Sequence, residues 1–379
     1  MFWEKRTYLD YAAGTSGNPS SPHEEGRKAK KILEDARTDI ARLLEVQSDD
    51  VIFTSGATEA NALAVLGVTR ASFQQTAHNK QQLEVRSWKP RAHVLYAPGA
   101  HASVVENMKL LKQEGVDAEE LQIKNYKVDT EALAKMIRPE TMLISMDAVC
   151  GETGIIWNTR EVKQTIGADV FLHVDASQAP MTEKITRAHF GADMLTLDAS
   201  KVCETRGIGA LVAHRTIPIT PLYRGGGQER GLRSGSEASE LAERFATALR
   251  AAALNRESFR TAAKHAREKL VTTITNTIPN VFVNEGRLQA PHILNLSLPG
   301  RDTDYLVALL DESGFAISTR SACETDSEEG SRAVLALTCD SERARATLRI
   351  SWGPVIHQRE LAHFAVSLSK AVQFIDNRG

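Results

Sequence analysis

The sequence lacks long apolar runs and has no excess of charge of either sign. None of its aliphatic stretches is long enough to span a bilayer, and Ala62 to Val68 is typical of the longest. The first residues lack the basic region and apolar stretch of a signal peptide, so we expect a cytoplasmic protein. The 46 Lys and Arg residues nearly balance the 48 Asp and Glu residues. We therefore expect no direct binding of nucleic acid and no membrane association.

Cysteine is scarce, and no repeat or low-complexity segment interrupts the 379 residues. The four cysteines (Cys150, Cys203, Cys323 and Cys339) are far apart, which argues against a disulfide framework and against a metal site. Apolar residues make up 42% of the chain, which is ordinary for a globular protein. The length allows two or three domains with a substantial core.

From Val51 onward, short β-rich runs alternate with helical stretches. This alternation predicts an α/β fold with a mostly parallel sheet covered on both faces. In such a sheet, ligands bind beyond the carboxyl ends of the strands. The expected strands are Val51 to Thr54, His93 to Tyr96, Leu121 to Ile123, Met142 to Met146, Val170 to Val174, Met194 to Leu197 and Gly209 to Ala213.

The pattern changes after about Ser239. A long helical stretch from Glu240 to Leu270, with a potential break near Asn255, leads into a shorter region of strands and helices. We expect a large domain over residues 14–255. A smaller α+β C-terminal domain would comprise residues 256–379 together with the N-terminal segment 1–13.

Three features of the large domain point to chemistry. The segment Ser55 to Thr58 follows a strand and opens a helix, so it is either a phosphate cradle or, more commonly, a plain tight turn. Asp175 ends an aliphatic strand, where a carboxylate either caps the next helix or meets a ligand. Lys201 follows another strand, where it is either a surface charge or an amine that forms an imine. Together, the three meet the requirements of pyridoxal phosphate.

At this point the sequence resembles the cysteine desulfurases of iron–sulfur cluster assembly, within the aminotransferase class V group of pyridoxal-phosphate enzymes. The similarity extends from Tyr8 to the C-terminal helix. It is carried by the segments YLDYAA from Tyr8, SGATEAN from Ser55, HVDASQ from His173, GIGAL from Gly207, GGGQERGLRSG from Gly225 and SAC from Ser321.

The resemblance implies an aspartate aminotransferase-like fold with a seven-stranded sheet, and it assigns roles around the cofactor ring. Lys201 would form the imine, and Asp175 would pair with the pyridinium nitrogen. His101 would stack on the ring and take part in proton transfer, unless it is a structural histidine at a strand end. Gln178 would contact the ring oxygen.

The resemblance also implies how phosphate and substrate are held. The residues expected around the phosphate within one chain are Gly56, Ala57, Thr58 and Ser200. Ser236 would reach the phosphate of the partner subunit in a homodimer. Arg349 would bind the substrate carboxylate as a bidentate partner, the plainer alternative being a surface arginine on a strand.

Cys323 would be the nucleophile that converts L-cysteine to L-alanine, because its thiolate attacks the substrate sulfur and becomes a persulfide. Arg320 would favour the thiolate, whereas the acidic residues that follow would oppose it. We expect this segment to be exposed and mobile, so that sulfur can pass to an acceptor protein of iron–sulfur cluster assembly or tRNA thiolation. The other three cysteines are interpreted as packing residues.

Several positions depart from the family pattern. Asp198 stands where the family has a phosphate-binding serine, and two unit charges about 4 Å apart repel by roughly 4 kcal/mol at an effective dielectric constant near 20. Asp198 therefore turns away or is protonated, or the phosphate is held differently, with Ser200 replacing one contact. Cys150-Gly151 replaces a pair of asparagines, which removes an amide expected near the ring.

Two other functions stay open at this stage. The chain could be another pyridoxal-phosphate lyase or transaminase, for example one that acts on selenocysteine. It could also be a catalytically impaired homologue that acts as a scaffold for sulfur-transfer proteins.

Overall fold

The computed structural model describes residues 7–80, 92–319 and 330–377. The strands in these ranges are Val51–Thr54 (β1), His93–Tyr96 (β2), Asp117–Glu120 (β3), Ile123–Lys124 (β4), Lys127–Val128 (β5), Thr141–Asp147 (β6), Phe171–Asp175 (β7), Met194–Asp198 (β8), Gly209–Ala213 (β9), Phe282–Val283 (β10), Ile293–Ser297 (β11) and Thr347–Ser351 (β12).

The α-helices in the same ranges are Glu24–Leu44 (α1), Ala57–Lys80 (α2), Ala102–Gln113 (α3), Thr130–Met136 (α4), Thr159–Ile166 (α5), Arg187–Phe190 (α6), Ser239–Thr277 (α7), Thr303–Glu312 (α8), Arg332–Thr338 (α9), Ser341–Arg345 (α10) and Gln358–Asp376 (α11). Within this described part, no helix combines the length and the apolar character needed to cross a membrane.

Seven strands form the main sheet, in the order β1-β9-β8-β7-β6-β2-β3. The pairs from β8 through β7, β6 and β2 to β3 are parallel, whereas β9 runs antiparallel to both of its neighbours. Every residue of β1, β2 and β9 is buried, as expected for strands covered on both faces. The predicted α/β class with a mostly parallel seven-stranded sheet is confirmed.

Apart from β9, the strands from β1 to β2 in the sheet order all run in one direction, which decides at which edge of the sheet they end. Because β1 and β8 are both antiparallel to β9, they point the same way as β7, β6 and β2. The carboxyl ends of all these strands therefore lie at one edge of the sheet. This edge carries Asp147, Asp175 and Asp198, each the last residue of its strand.

A second, antiparallel sheet has the order β10-β11-β12. Its core is built from residues such as Leu294, Leu348 and Leu368, and it is separate from the core of the main sheet. Helix α7 contributes to both cores, with Phe245 in the first and Ile274 in the second. The division of the chain at residue 255 stays a prediction, because one helix supplies both cores across that position.

Two local predictions are wrong. Helix α7 runs from Ser239 to Thr277 without a break, and the Asn255 amide donates to the Ala251 carbonyl one turn back instead of interrupting the helix. Leu121 to Ile123 is not a strand of the main sheet: the polar β3 at 117–120 pairs with β2 there, and Ile123 instead begins the short β4. An edge strand tolerates acidic side chains because they reach solvent, and Asp117 pairs there with Arg138.

A buried ion pair fixes the loop 225–236 against the edge strand β1. Arg37 of α1 donates to both oxygens of Glu229, at 2.7 and 2.8 Å, and to the carbonyl of Val51. Glu229 also accepts the Phe53 backbone N–H at 2.7 Å. Both side chains are buried, so each needs the other to compensate for the loss of water.

Replacing Glu229 by Ala should lower the free energy of unfolding by about 3–5 kcal/mol, because the Arg37 charge would stay buried and keep only the half-exposed Glu34 as an ion-pair partner. Urea unfolding followed by circular dichroism measures the change. The matched control is Asp35→Ala, which breaks an exposed pair with Lys31 and should cost less than about 1 kcal/mol. Equal losses in the two variants would contradict this account.

Candidate active site

A cavity of about 280 Å³ opens at the carboxyl edge of the main sheet. Nearly all of the residues predicted around a cofactor lie in its wall, together with the substrate-binding candidate. The lining residues include Ala57, Thr58, His101, Asp147, Gly151, Asp175, Gln178, Asp198, Ser200, Lys201, Arg332 and Arg349. A larger cavity of about 790 Å³, between α1 and the loop 227–230, contains none of the predicted site residues.

Lys201 closes a short 3-10 helix, Ala199–Lys201, that directly follows β8. Its side chain is exposed and reaches the cavity wall. Within the described ranges, no hydrogen bond or ion pair holds its ammonium group. The amine is therefore accessible to an aldehyde, as imine formation requires.

Asp175 is buried at the end of β7, and its carboxylate is fixed from two sides. One oxygen accepts the Asn61 amide at 2.7 Å, and the other accepts the Ser177 backbone N–H at 2.9 Å. The carboxylate is therefore held as a directed acceptor at the cavity wall.

A chain of hydrogen bonds links Asp175 to His101. The Asn61 amide, besides its bond to Asp175, donates to the Ser103 hydroxyl at 2.9 Å. That hydroxyl lies 2.8 Å from His101 Nδ1, which also accepts the Ser103 backbone N–H. Since Nδ1 accepts, the neutral imidazole carries its proton on Nε2. Asn61 and Ser103 thus orient His101, and the sequence reasoning gave neither residue a role.

Gln178 and Gly151 are neighbours in the wall. A Cβ atom on Gly151 would lie 3.3 Å from the Gln178 amide nitrogen, which is a tight contact. The absence of a side chain at Gly151 therefore gives the Gln178 amide room. The adjacent Cys150 is buried, and burial raises the pKa of its thiol to about 12. Cys150 is therefore a packing residue, as expected. That interpretation is wrong for Cys339, which is exposed at the end of α9.

Arg349 projects from β12 of the small sheet into the same cavity. Its guanidinium donates weakly to the Gly151 carbonyl at 3.3 Å and to the Ser318 hydroxyl at 3.4 Å. These contacts orient the group and leave other N–H groups for a ligand carboxylate. Arg332, at the start of α9, joins Lys201 and Arg349 as a third cationic side chain in the wall. It was not among the predicted residues.

Three predicted residues are not in the wall of this cavity as described, and one of them is Gly56, which directly precedes the lining residue Ala57. Ser236 is exposed and accepts a hydrogen bond from the Asn18 amide at 3.2 Å, and it does not line the wall. Its role in a partner subunit stays a prediction. Cys323, with Arg320 beside it, lies outside the described residues.

The predicted phosphate loop is in contact with Asp198. Gly56 leads out of β1, and Ala57 begins α2. The Ala57 backbone N–H donates to one Asp198 oxygen at 2.8 Å. The other oxygen accepts both the N–H and the hydroxyl of Ser200, at 2.8 and 2.7 Å. Asp198 thus faces the loop, so of the three alternatives left open for it, the one in which it turns away is wrong.

Asp147 is a cavity residue that the sequence reasoning missed. It ends β6 opposite Asp175 of β7 and is only 5% exposed. Neither of its oxygens has a well-formed hydrogen bond in the described structure. Burial, together with the nearby Asp175 charge, raises the pKa of Asp147 to about 7. Its position in the sequence could have indicated a site residue, since Asp147 is the last residue of β6 just as Asp175 is the last residue of β7.

Replacing Asp147 by Asn should make stability less dependent on pH. The unfolded carboxyl ionises near its ordinary pKa of 3.8, whereas the folded one holds its proton to about 7. The wild type should therefore lose about 3 kcal/mol of stability relative to Asp147→Asn between about pH 5 and pH 8. Urea unfolding at both pH values measures this difference. The exposed Asp311→Asn serves as the control, and parallel pH dependence in all three proteins would contradict the raised pKa.

Comparisons with known proteins agree with this geometry. The sequence profile of the aminotransferase class-V family matches residues 6–364. The cysteine desulfurase IscS of Rickettsia bellii is 32% identical over 366 residues, covering 95% of this chain and 85% of that protein.

Solved structures give the same result. A NifS-like protein superposes with a TM-score of 0.82 at 26% identity, covering 94% of this chain and 92% of its own. The structure of SspA in complex with cysteine superposes with a TM-score of 0.72 at 26% identity, covering 89% and 91%. The chain therefore belongs to the aminotransferase class-V family, among its cysteine desulfurases.

Proposed function

We propose that this chain is a pyridoxal-phosphate-dependent cysteine desulfurase. It converts L-cysteine to L-alanine and passes the sulfur to Cys323. The carbon–sulfur bond of the substrate breaks, and a sulfur–sulfur bond to Cys323 forms. The observation that carries the proposal is the convergence of Lys201, Asp175, His101 and Arg349 on one cavity in a chain of this family.

The ring end of the cavity fits the cofactor. Lys201 offers an accessible amine, Asp175 a fixed carboxylate and His101 an oriented imidazole, while Gln178 has room beside Gly151. When bound, pyridoxal phosphate supplies an electron sink that weakens bonds of the amino acid next to its amino group. The phosphate end does not fit equally well, because the Asp198 carboxylate already accepts from Ala57 and Ser200.

Arg349 binds the carboxylate of L-cysteine. Its guanidinium is oriented by Gly151 and Ser318, and a planar fork of N–H donors matches a carboxylate in a bidentate contact. Because Gly151 lies next to Gln178, this contact places the amino acid beside the ring end of the cavity. The substrate is thereby oriented before any bond changes.

His101 holds and moves protons at its Nε2 atom. The bond from Ser103 to Nδ1 keeps the imidazole in the tautomer that carries the proton on Nε2. The link through Asn61 to Asp175 keeps the ring in one orientation. A positioned imidazole of this kind is suited to general acid–base work.

Sulfur is received by Cys323. Described residues near both ends of its segment are close to the cavity: Ser318 forms a β-bridge with the lining residue Arg349, and Arg332 itself lines the wall. This placement of the flanking residues supports Cys323 as the acceptor. From Cys323 the sulfur passes to an acceptor protein for iron–sulfur clusters or tRNA thiolation. The chain works as a homodimer in which Ser236 reaches the partner's site.

One observation favours a second function. The Asp198 carboxylate takes hydrogen-bond donors that a cofactor phosphate would use. A chain that never binds the cofactor would be a scaffold for sulfur-transfer proteins instead of an enzyme. Absence of any spectral change when pyridoxal phosphate is added to the purified chain would favour this alternative.

The proposed activity predicts distinct results for two substitutions. The wild type, incubated with pyridoxal phosphate, L-cysteine and a thiol reductant, should release alanine and sulfide. Lys201→Ala should lower both rates on the order of a thousandfold or more, because the cofactor loses its covalent partner. Cys323→Ser should lower both rates comparably and yet keep the imine absorption band.

The matched control is Cys339→Ser, which removes an exposed thiol and should keep both rates within about twofold of the wild type. Alanine and sulfide release by Cys323→Ser at the wild-type rate would contradict the role of the thiol and would favour another lyase. Full activity in Lys201→Ala would contradict the pyridoxal-phosphate chemistry itself.

A further inference from the structure

Several donors at the phosphate end of the cavity are already used by carboxylates of the chain itself. Asp198 accepts the Ala57 N–H on one oxygen and two donors of Ser200 on the other. The neighbouring Ser55 N–H donates to Glu59 at 2.5 Å. An incoming phosphate therefore finds the donors of Ala57 and Ser200 occupied and, at Asp198, meets a like charge.

The backbone position of Asp198 is fixed by the strand pairing of the main sheet. Gly209 of β9 has a partner on each side. Asp198 of β8 lies opposite Gly209 in one strand pair, and Thr54 of β1 lies opposite Gly209 in the other. A Cβ atom on Gly209 would lie within 2.8 Å of the Gly56 backbone. The glycine therefore lets the loop after β1 approach the end of β8 closely.

A second constraint acts on the side chain itself. The Asp198 carboxylate caps the short helix Ala199–Lys201 through its bond to the Ser200 N–H, and capping contacts of this kind stabilise a helix start. The side chain is held by the helix that carries Lys201 on one side and by the start of α2 on the other. It cannot leave the Ala57 N–H without losing this bond.

We propose that the Asp198 carboxylate competes with the cofactor's phosphate for the hydrogen-bond donors of Ala57 and Ser200. The preference of this site for pyridoxal phosphate over unphosphorylated pyridoxal is therefore much smaller than it would be with serine at position 198. This inference rests on the proposed function, because it concerns the same cofactor site. Its physical basis is twofold. A phosphate must displace the carboxylate from its donors, and it must then sit beside a charge of its own sign.

Equilibrium binding tests the proposal without relying on turnover. The full-length protein, stripped of cofactor, is titrated with pyridoxal phosphate and separately with pyridoxal, and the imine absorption band reports binding. The compared quantity is the ratio of the two dissociation constants. In Asp198→Ser the preference for the phosphorylated form should rise at least about tenfold over the wild type, chiefly through tighter binding of pyridoxal phosphate.

Asp198→Asn is a second variant, which keeps the size of the side chain in case the serine variant folds poorly, and its preference should rise as well. The matched control is Asp311→Ser, which removes the same charge from the exposed surface of α8 and should leave the ratio unchanged. Thermal unfolding curves establish that each variant is folded.

The outcomes separate the two proposals. An unchanged ratio in both folded Asp198 variants, with imine formation in all proteins, would overturn the role of Asp198 and leave the proposed function standing. Failure of every protein, including Asp198→Ser, to form an imine with either aldehyde would overturn both. Tight binding of pyridoxal phosphate by the wild type with the same preference as Asp198→Ser would also overturn the competitor role.

Discussion

The geometry of the site depends on how closely the loop after β1 can approach the end of β8 across the single reversed strand β9. Thr54 and Asp198 both lie opposite Gly209, and a side chain there would meet the backbone of Gly56 and of Leu197. Without this glycine, the Ala57 N–H could not reach Asp198, and the turn that carries Lys201 would be displaced from the start of α2. Gly209 thus sets the spacing between the predicted phosphate loop at Ala57 and the turn that carries Lys201, the residue predicted to react with the aldehyde.

Two neighbouring aspartates in this site have opposite electrostatic surroundings. Asp175 receives hydrogen bonds from Asn61 and Ser177, whereas burial without comparable donors raises the pKa of Asp147 to about 7. Asp175 is therefore the carboxylate whose oxygens are fixed to face a cationic ring nitrogen in the proposed function. The raised pKa of Asp147 lessens the negative charge that it carries beside Asp175 near neutral pH.

The sequence alone was sufficient for those parts of the structure that follow from chain order. Asp175 and Lys201 follow apolar strands, and parallel strands bring their carboxyl ends to one edge of a sheet. The contact of Asp198 with Ala57 was not predictable, because it depends on the registers of two strand pairs across β9. The raised pKa of Asp147 depends on burial, which an aspartate at a strand end does not reveal. Strand β3 was misplaced by a few residues because an edge strand needs no apolar side chains.

The site separates two tasks that a pyridoxal cofactor normally combines. The phosphate serves as an anchor through charge and hydrogen bonds, while the aldehyde and the ring nitrogen carry the chemistry. The groups for the chemistry are present at the ring end, in Lys201, Asp175 and His101, and their orientation depends on Asn61, Ser103 and Ser177. None of these contacts passes through Asp198. A change at Asp198 is therefore expected to alter how much cofactor the chain holds, whereas the hydrogen bonds that orient Asp175 and His101 are left as they are. Because the proposed bond between the aldehyde and Lys201 would be covalent, a weakened anchor is compatible with an intact reaction site.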